Sequence, residues 1–296
     1  MNYQPLENKS AMHHIKKPRL PYSWDLNIYR GCEHGCKYCF AIYSHDYLKN
    51  DNYFGTVYYK KYILEALEKE LSSPKWKHEV VNIGGITDSY QPIERERKLM
   101  PEVLKLMIKY KTPVIISTKS ALILRDIDLI KELSEIVTVN IAFTITTLDE
   151  RVRTFLEPNA SSSRERFRAL KRFKEETNAV VGLHMMPIVP YLTDNRYNLE
   201  QMYRLAAKVG VDYILPGTLY LRGKTRTYFM NAVKAFHEDR YQKIKTLYQK
   251  GSALKDYKAG LYPFIASLEK KYHLSRDYMK AINQKEKRIK EASHFS

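Results

Sequence analysis

The sequence predicts an α/β fold, a partial, TIM-like parallel (β/α)6 barrel with a C-terminal helical extension. Three observations predict it. Six short apolar runs, at residues 24–29, 79–83, 114–117, 137–146, 180–186 and 213–221, recur about one βα unit apart. Between them lie stretches with apolar residues at helical spacing, such as 100–110, 164–176 and 199–209. Polar motifs gather just past the carboxyl ends of the runs, where a barrel keeps its chemistry.

Length and composition allow such a fold. The chain has 296 residues, 44% of them hydrophobic, enough for one large core with an appendage. We expect residues 1–22 to be an irregular leader, since Pro18 and Pro21 disfavour regular pairing, 23–225 to form the barrel, and 226–296 a basic helical extension. No apolar run approaches the roughly 20 residues of a membrane span, and the first residues lack a signal peptide's hydrophobic core. The expected location is cytoplasmic, with no membrane partner.

The first strand, with Trp24, Leu26 and Ile28 on one side, leads into Arg30-Gly-Cys-Glu-His-Gly-Cys-Lys-Tyr-Cys-Phe40. Cys32, Cys36 and Cys39 are the only cysteines in the protein. An odd count without a secretory context argues against a disulfide framework. Iron–sulfur clusters are held by thiolates, normally four, so three in one loop would leave one iron open to a substrate or cofactor. A structural zinc site with His34 or His45 as fourth ligand remains open from the residues alone. Gly31 and Gly35 suit the tight turns of a wrapping loop. Residues 60–71 follow with helical spacing.

The second strand ends in Gly84-Gly85 and runs into Thr87-Asp88-Ser89-Tyr90-Gln91-Pro92-Ile93-Glu94. Asp88 and its neighbours suit either work on a ligand or the capping of a helix that starts near Pro92; Tyr90 suits either a substrate face or the core. The third strand ends in Ile116-Ser-Thr-Lys119-Ser120, before Arg125-Asp-Ile-Asp-Leu129. The fourth ends in Thr144-Ile-Thr-Thr-Leu-Asp-Glu150, ahead of Leu156-Glu157-Pro158, and the fifth in Pro187-Ile-Val-Pro190 and Thr193-Asp-Asn195. His184, inside the fifth strand, reads as a core histidine. Arg222 follows the sixth.

The spacing CxxxCxxC, with Tyr38 just before the last cysteine, resembles the signature of the radical S-adenosylmethionine superfamily. Together with Asn27-Ile-Tyr-Arg-Gly-Cys32 and the four later motifs, over about residues 24–221, it looks like the spore photoproduct lyase family, in the DNA repair photolyase-like branch. The resemblance implies a 4Fe-4S cluster on Cys32, Cys36 and Cys39, with S-adenosyl-L-methionine chelating the fourth iron and yielding a 5′-deoxyadenosyl radical that abstracts hydrogen. It implies that Tyr38 lies beside the adenine and that Lys119 pairs with the methionine carboxylate; Thr144, and Ser89 or Thr87, are then expected to reach the cofactor, and Arg222 the cofactor or a phosphate. Asp88 and Tyr90 are then the candidates for work on the substrate. Electrons would come from a donor such as flavodoxin or ferredoxin. One departure stands out: spore photoproduct lyases proper use a fourth cysteine near the end of the second strand, where this chain has Gly84, Gly85 and Ile86.

The net charge of +17 favours a polyanionic partner, nucleic acid first. Most of the excess falls in the last quarter: residues 222–296 hold 18 basic and 7 acidic side chains. The 24 tyrosines offer stacking surfaces for bases. That tail reads as amphipathic helices punctuated by Gly251, Gly260 and Pro263, ending in a frayed, solvated 285–290. Two other readings stay open: a radical enzyme that modifies a protein or small molecule, and a nucleic-acid-binding module with a structural cluster or zinc.

Overall fold

The computed structural model describes residues 1–16, 22–48, 50 and 52–293. The chain opens with β1 (Asn2–Leu6), β2 (Met12–His14), β3 (Trp24–Leu26) and β4 (Tyr29–Arg30), and after the cysteine loop makes 3-10 turns over Phe40–Leu48. Next come β5 (Thr56–Lys60), α1 (Ile63–Leu71), β6 (Val81–Ile83), α2 (Glu94–Arg97), α3 (Leu99–Lys109) and β7 (Val114–Thr118). Then follow α4 (Ile127–Ile136), β8 (Val139–Thr144), α5 (Glu150–Leu156), α6 (Ser163–Glu176), β9 (Val180–Ile188), α7 (Arg196–Val209) and β10 (Tyr213–Thr218). Four helices end the chain: α8 (Gly223–Phe236), α9 (Glu238–Leu247), α10 (Lys255–Tyr272) and α11 (Tyr278–Ser293).

The six strands expected from the apolar runs are β3, β6, β7, β8, β9 and β10. They lie side by side in that order, all parallel, with β2 antiparallel on the outer edge of β3. Alternation along each strand sorts the side chains. Val81, Ile83, Ile116, Ile141, Phe143, Val181, Leu183 and Ile214 pack in the main core with residues of the helices. Asn82, Ile115, Ser117, Asn140, Thr144, His184, Tyr213 and Leu215 face an inner cavity of about 1250 Å³. Local signals fix the helices. Ser162 and Glu165 form a capping box at the start of α6, and Phe167, Leu170 and Phe173 bury its apolar face. Asn195 caps α7, which ends at Gly210 in the left-handed conformation that glycine adopts freely.

The leader is not irregular. β1 pairs in parallel with β5, and Glu70 accepts from the Ala11 and Met12 amides at 2.9 Å, which holds β2 in place. Pro5 sits in β1 at the edge of the three-stranded β1-β5-β4 sheet, where a missing donor is tolerated. Pro18 and Pro21 lie outside the described residues. Gly260 and Pro263 do not break the tail either, for both lie within α10. Leu261, Ile265 and Leu268 are buried in the main core, and that packing outweighs the amide that proline lacks. Residues 285–290 continue α11, whose Ile282 packs with Val180 and Tyr213 of the strands.

The tail helices complete the barrel. Phe229, Met230 and Val233 of α8 and Ile244 and Leu247 of α9 share a buried cluster with Cys36 and Tyr38. Thr225 donates to the Cys39 carbonyl at 3.0 Å, tying α8 to the cysteine loop. Tyr278, at the start of α11, lines the cavity.

Candidate active site

The cysteine loop leaves β4 through Gly31 at φ +84°, where a Cβ would collide with the Thr56 carbonyl oxygen, so the tight pass beside β5 requires glycine. Cys32 and Cys36 are buried, Cys39 is half-buried, and all three line the cavity. Burial raises all three thiols, with Asp88 adding to it at Cys32 and Cys36 pushed to about 12. Thiolates here need a strong positive partner, which bound metal supplies. Among the described residues no three His, Cys, Asp or Glu side chains converge as a single ion would demand. A polynuclear cluster takes one thiolate on each of several irons and fits this donor set better than zinc does.

The second motif grips that loop. Thr87 Oγ1 and Gln91 Nε2 donate to the Gly31 carbonyl at 2.6 and 3.2 Å. Gln91 Oε1 accepts the Glu33 amide at 2.9 Å, and Glu33 in turn accepts the Ile93 amide at 2.8 Å. Asp88 is the centre of the grip. Its buried carboxylate accepts from Thr118 Oγ1 at 2.8 Å, the Lys119 amide at 2.8 Å and the Tyr90 amide at 2.9 Å, and meets His34 Nε2 at 3.1 Å. Burial alone would raise this carboxyl, but the charge and hydrogen bond of His34 and the two amides outweigh it and hold it at about 2. Asp88 is therefore occupied in joining the cysteine loop to the end of β7.

Two expected site residues fall away from the cavity. Tyr90 is fully buried in the main core, and burial together with Asp126 pushes its phenol well up. Its ring belongs to the core and not to the lining of this cavity. Ser89 is buried and does not line the cavity; its hydroxyl lies behind Gly84.

Tyr38, Lys119, Thr144 and Arg222 do reach the cavity. The Lys119 ammonium stands 5.8 Å from the centre of the Tyr38 ring. Burial works against its charge, but Cys36, Glu157 and Asp88 more than compensate, so it stays protonated. Tyr38 is fixed by its hydroxyl, which donates to Glu157. Arg222 lies at the rim, 6.0 Å from the Tyr220 ring.

The sequence reading missed the cavity's polar floor. Tyr213 leans over Gly182, where any side chain would strike its ring. Its hydroxyl donates to Asn140 Oδ1 at 3.0 Å and lies 3.3 Å from His184 Nε2. Burial and Lys119 lower His184 to about 4, so it is neutral at pH 7, and it lines the cavity where a core histidine was expected. The available signal was a polar residue at an inward position of an apolar run, as at Asn82 and Asn140. The fully buried Glu157–Arg166 pair, at 2.5 Å, was also missed.

The sequence model of the Radical SAM superfamily matches residues 26–206. An uncharacterized protein of Mycobacterium tuberculosis is 31% identical over 280 residues, covering 92% of this chain and 82% of its own. One of Methanocaldococcus jannaschii is 29% identical over 193 residues, covering 65% of this chain and 70% of its own. Among solved structures, spore photoproduct lyase complexed with dinucleoside spore photoproduct superposes with a TM-score of 0.64 at 12% identity, over 91% of this chain and 79% of that one. A variant of that lyase with bound AdoMet and dinucleoside spore photoproduct gives 0.61 at 13% identity, over 87% and 76%. Three thiols in one loop at the open end of a partial barrel, a buried lysine beside them and a family match across most of that barrel lead to one conclusion: the chain belongs to the radical SAM superfamily, with the fold of spore photoproduct lyase.

Proposed function

We propose that this radical SAM enzyme holds a 4Fe-4S cluster on Cys32, Cys36 and Cys39 and acts on nucleic acid. The observation that carries the first part is the meeting of the three cysteine thiols with the Lys119 ammonium in one cavity. The chemistry such a group supplies is one-electron cleavage of S-adenosyl-L-methionine, giving a 5′-deoxyadenosyl radical that takes hydrogen from substrate. The chain's own part is to bind and orient. Lys119 offers a desolvated positive charge to the methionine carboxylate, Thr144 a hydroxyl, and Tyr38 a fixed aromatic face.

The rim supports a nucleic-acid substrate. Phe40, Tyr43 and Tyr220 are 63%, 46% and 57% exposed around the mouth of the cavity, with Arg222 among them and Lys224 paired with Asp46. Exposed aromatic faces stack on bases while neighbouring cations meet phosphates. Gly84 lines the cavity at the end of β6 and offers no thiol, so the hydrogen return used by spore photoproduct lyases proper is not part of this proposal. An acidic carrier such as flavodoxin or ferredoxin suits a protein of net charge +17 as electron donor.

The test is anaerobic reconstitution followed by S-adenosyl-L-methionine and a reductant, with 5′-deoxyadenosine quantified in wild type and in Cys36→Ala. The reading requires formation that depends on Cys36; an intact, reducible cluster that makes none defeats it. For the substrate, single-stranded oligonucleotide binding should weaken steeply with salt. Phe40→Ala or Tyr220→Ala should each cost about 1–3 kcal/mol. Deoxyadenosine formation with salt-insensitive, negligible nucleic-acid binding would instead favour a protein or small-molecule substrate.

A further inference from the structure

Glu157 and Arg166 are a charged pair with no exposed side-chain surface; Glu157 fixes the Tyr38 hydroxyl, but nothing described above accounts for the buried guanidinium of Arg166. Arg166 Nη2 donates to Glu157 Oε2 at 2.5 Å, Nη1 to the Thr144 carbonyl at 2.6 Å and Nε to the Ser161 carbonyl at 2.8 Å. The other Glu157 oxygen accepts the Tyr38 hydroxyl and Thr146 Oγ1, the latter at 3.2 Å. The flanking chain clasps the same loop. The Leu156 carbonyl accepts the Lys37 amide at 2.8 Å, and Asn159 Nδ2 donates to the Glu33 carbonyl at 2.7 Å. These two contacts already anchor the loop, and a buried ion pair often gives no more stability than apolar residues of its volume.

What apolar residues could not supply is charge. Arg166 and Lys119 hold the Glu157 carboxyl below its ordinary range despite full burial, so both members of the pair are ionised. Both act on Cys36, Glu157 against its thiolate and Arg166 in favour of it. Iron–sulfur potentials respond to local net charge and to solvent exclusion, and fields are strong in so dry a place.

We propose that Glu157 holds the reduction potential of the cluster down by cancelling the positive charge that Arg166 places beside the Cys36 ligand. Neither residue touches substrate or cofactor; both are positioning residues that act through the loop and through its field. The inference rests on the cluster reading above. Removing the negative member leaves an uncompensated positive charge, which favours the reduced, more negative cluster and raises its midpoint. Removing both members restores the balance.

The experiment is an anaerobic redox titration followed by electron paramagnetic resonance, without S-adenosyl-L-methionine, on protein of measured iron and sulfide content. Glu157→Gln should titrate at a higher midpoint than wild type, and Glu157→Gln/Arg166→Met should return toward it. Glu157→Gln/Arg166→Lys, with the positive charge kept, should stay high. The two double variants decide the matter even if the single one assembles no cluster, because they differ by one charge at one place. Equal midpoints for those two, or a wild-type midpoint for Glu157→Gln, overturn the proposal and leave the site reading standing. Failure of the wild type to assemble a cluster overturns the site reading itself.

Discussion

Replacing Asp88 by asparagine keeps its shape and removes its charge, and the structure sets the cost. The carboxyl is held at about 2 against an ordinary 3.8. At about 1.4 kcal/mol per unit, the folded state favours the ionised form by about 2 kcal/mol. Asparagine must also turn its NH2 toward one of two backbone donors, since the Tyr90 amide donates to one oxygen and the Lys119 amide to the other. A buried donor left unpaired costs roughly 1–3 kcal/mol. The two effects overlap, so Asp88→Asn should lose about 3 kcal/mol at pH 7 and melt roughly 6–12 °C lower. The assay is urea and thermal unfolding of cluster-free protein under reducing conditions. Because the folded pKa is depressed, this contribution is present in full above about pH 4. It is lost as the pH falls through 3.8 toward 2, where wild type and variant should converge. A loss under about 1 kcal/mol at pH 7, or a gap that persists in acid, would refute the claim that Asp88 serves the fold as a buried, hydrogen-bonded charge.

Lys119→Met should raise the dissociation constant for S-adenosyl-L-methionine at least about 30-fold, since a desolvated charge pair is worth about 2 kcal/mol or more; equilibrium dialysis on cluster-loaded protein checks this, and an unchanged constant removes Lys119 from the cofactor. Gly182→Ala should cost about 1–3 kcal/mol by overpacking, because the new methyl occupies the place of the Tyr213 ring. In a double-mutant cycle with Tyr213→Ala, chemical denaturation should show coupling of about 0.5–3 kcal/mol, and strict additivity would mean that the ring does not lie over Gly182.

Much of the fold was legible because its causes are local. Inward and outward residues alternate along β6, β7 and β8, the capping box of Ser162 and Glu165 starts α6, and three cysteines within one loop announce a cluster. These signals survive in one dimension because strand period, cap and ligand spacing are all set by backbone geometry over a few residues. The leader, and the breaks expected at Gly260 and Pro263 within the helical tail, were misread for the opposite reason. Asn2–Leu6 is a strand because β5, some 50 residues later, offers it an edge, and Pro263 stays helical because Leu261 and Ile265 have a core to enter.

The division is sharpest at the site. Sequence alone named Cys32, Cys36, Cys39, Tyr38, Lys119, Thr144 and Arg222, all of which face the cavity. It could not tell that Asp88, which also lines the cavity, is taken up by the cysteine loop, or that Ser89 and Tyr90 do not line it, since neighbours in a turn point in different directions and only packing decides which way. Asp88 became the clasp of the loop and Tyr90 part of the core. Nor could it foresee that Glu157 would meet Arg166, or Tyr213 reach Asn140. A buried charge or hydroxyl finds its partner across the fold, so that choice belongs to the tertiary structure.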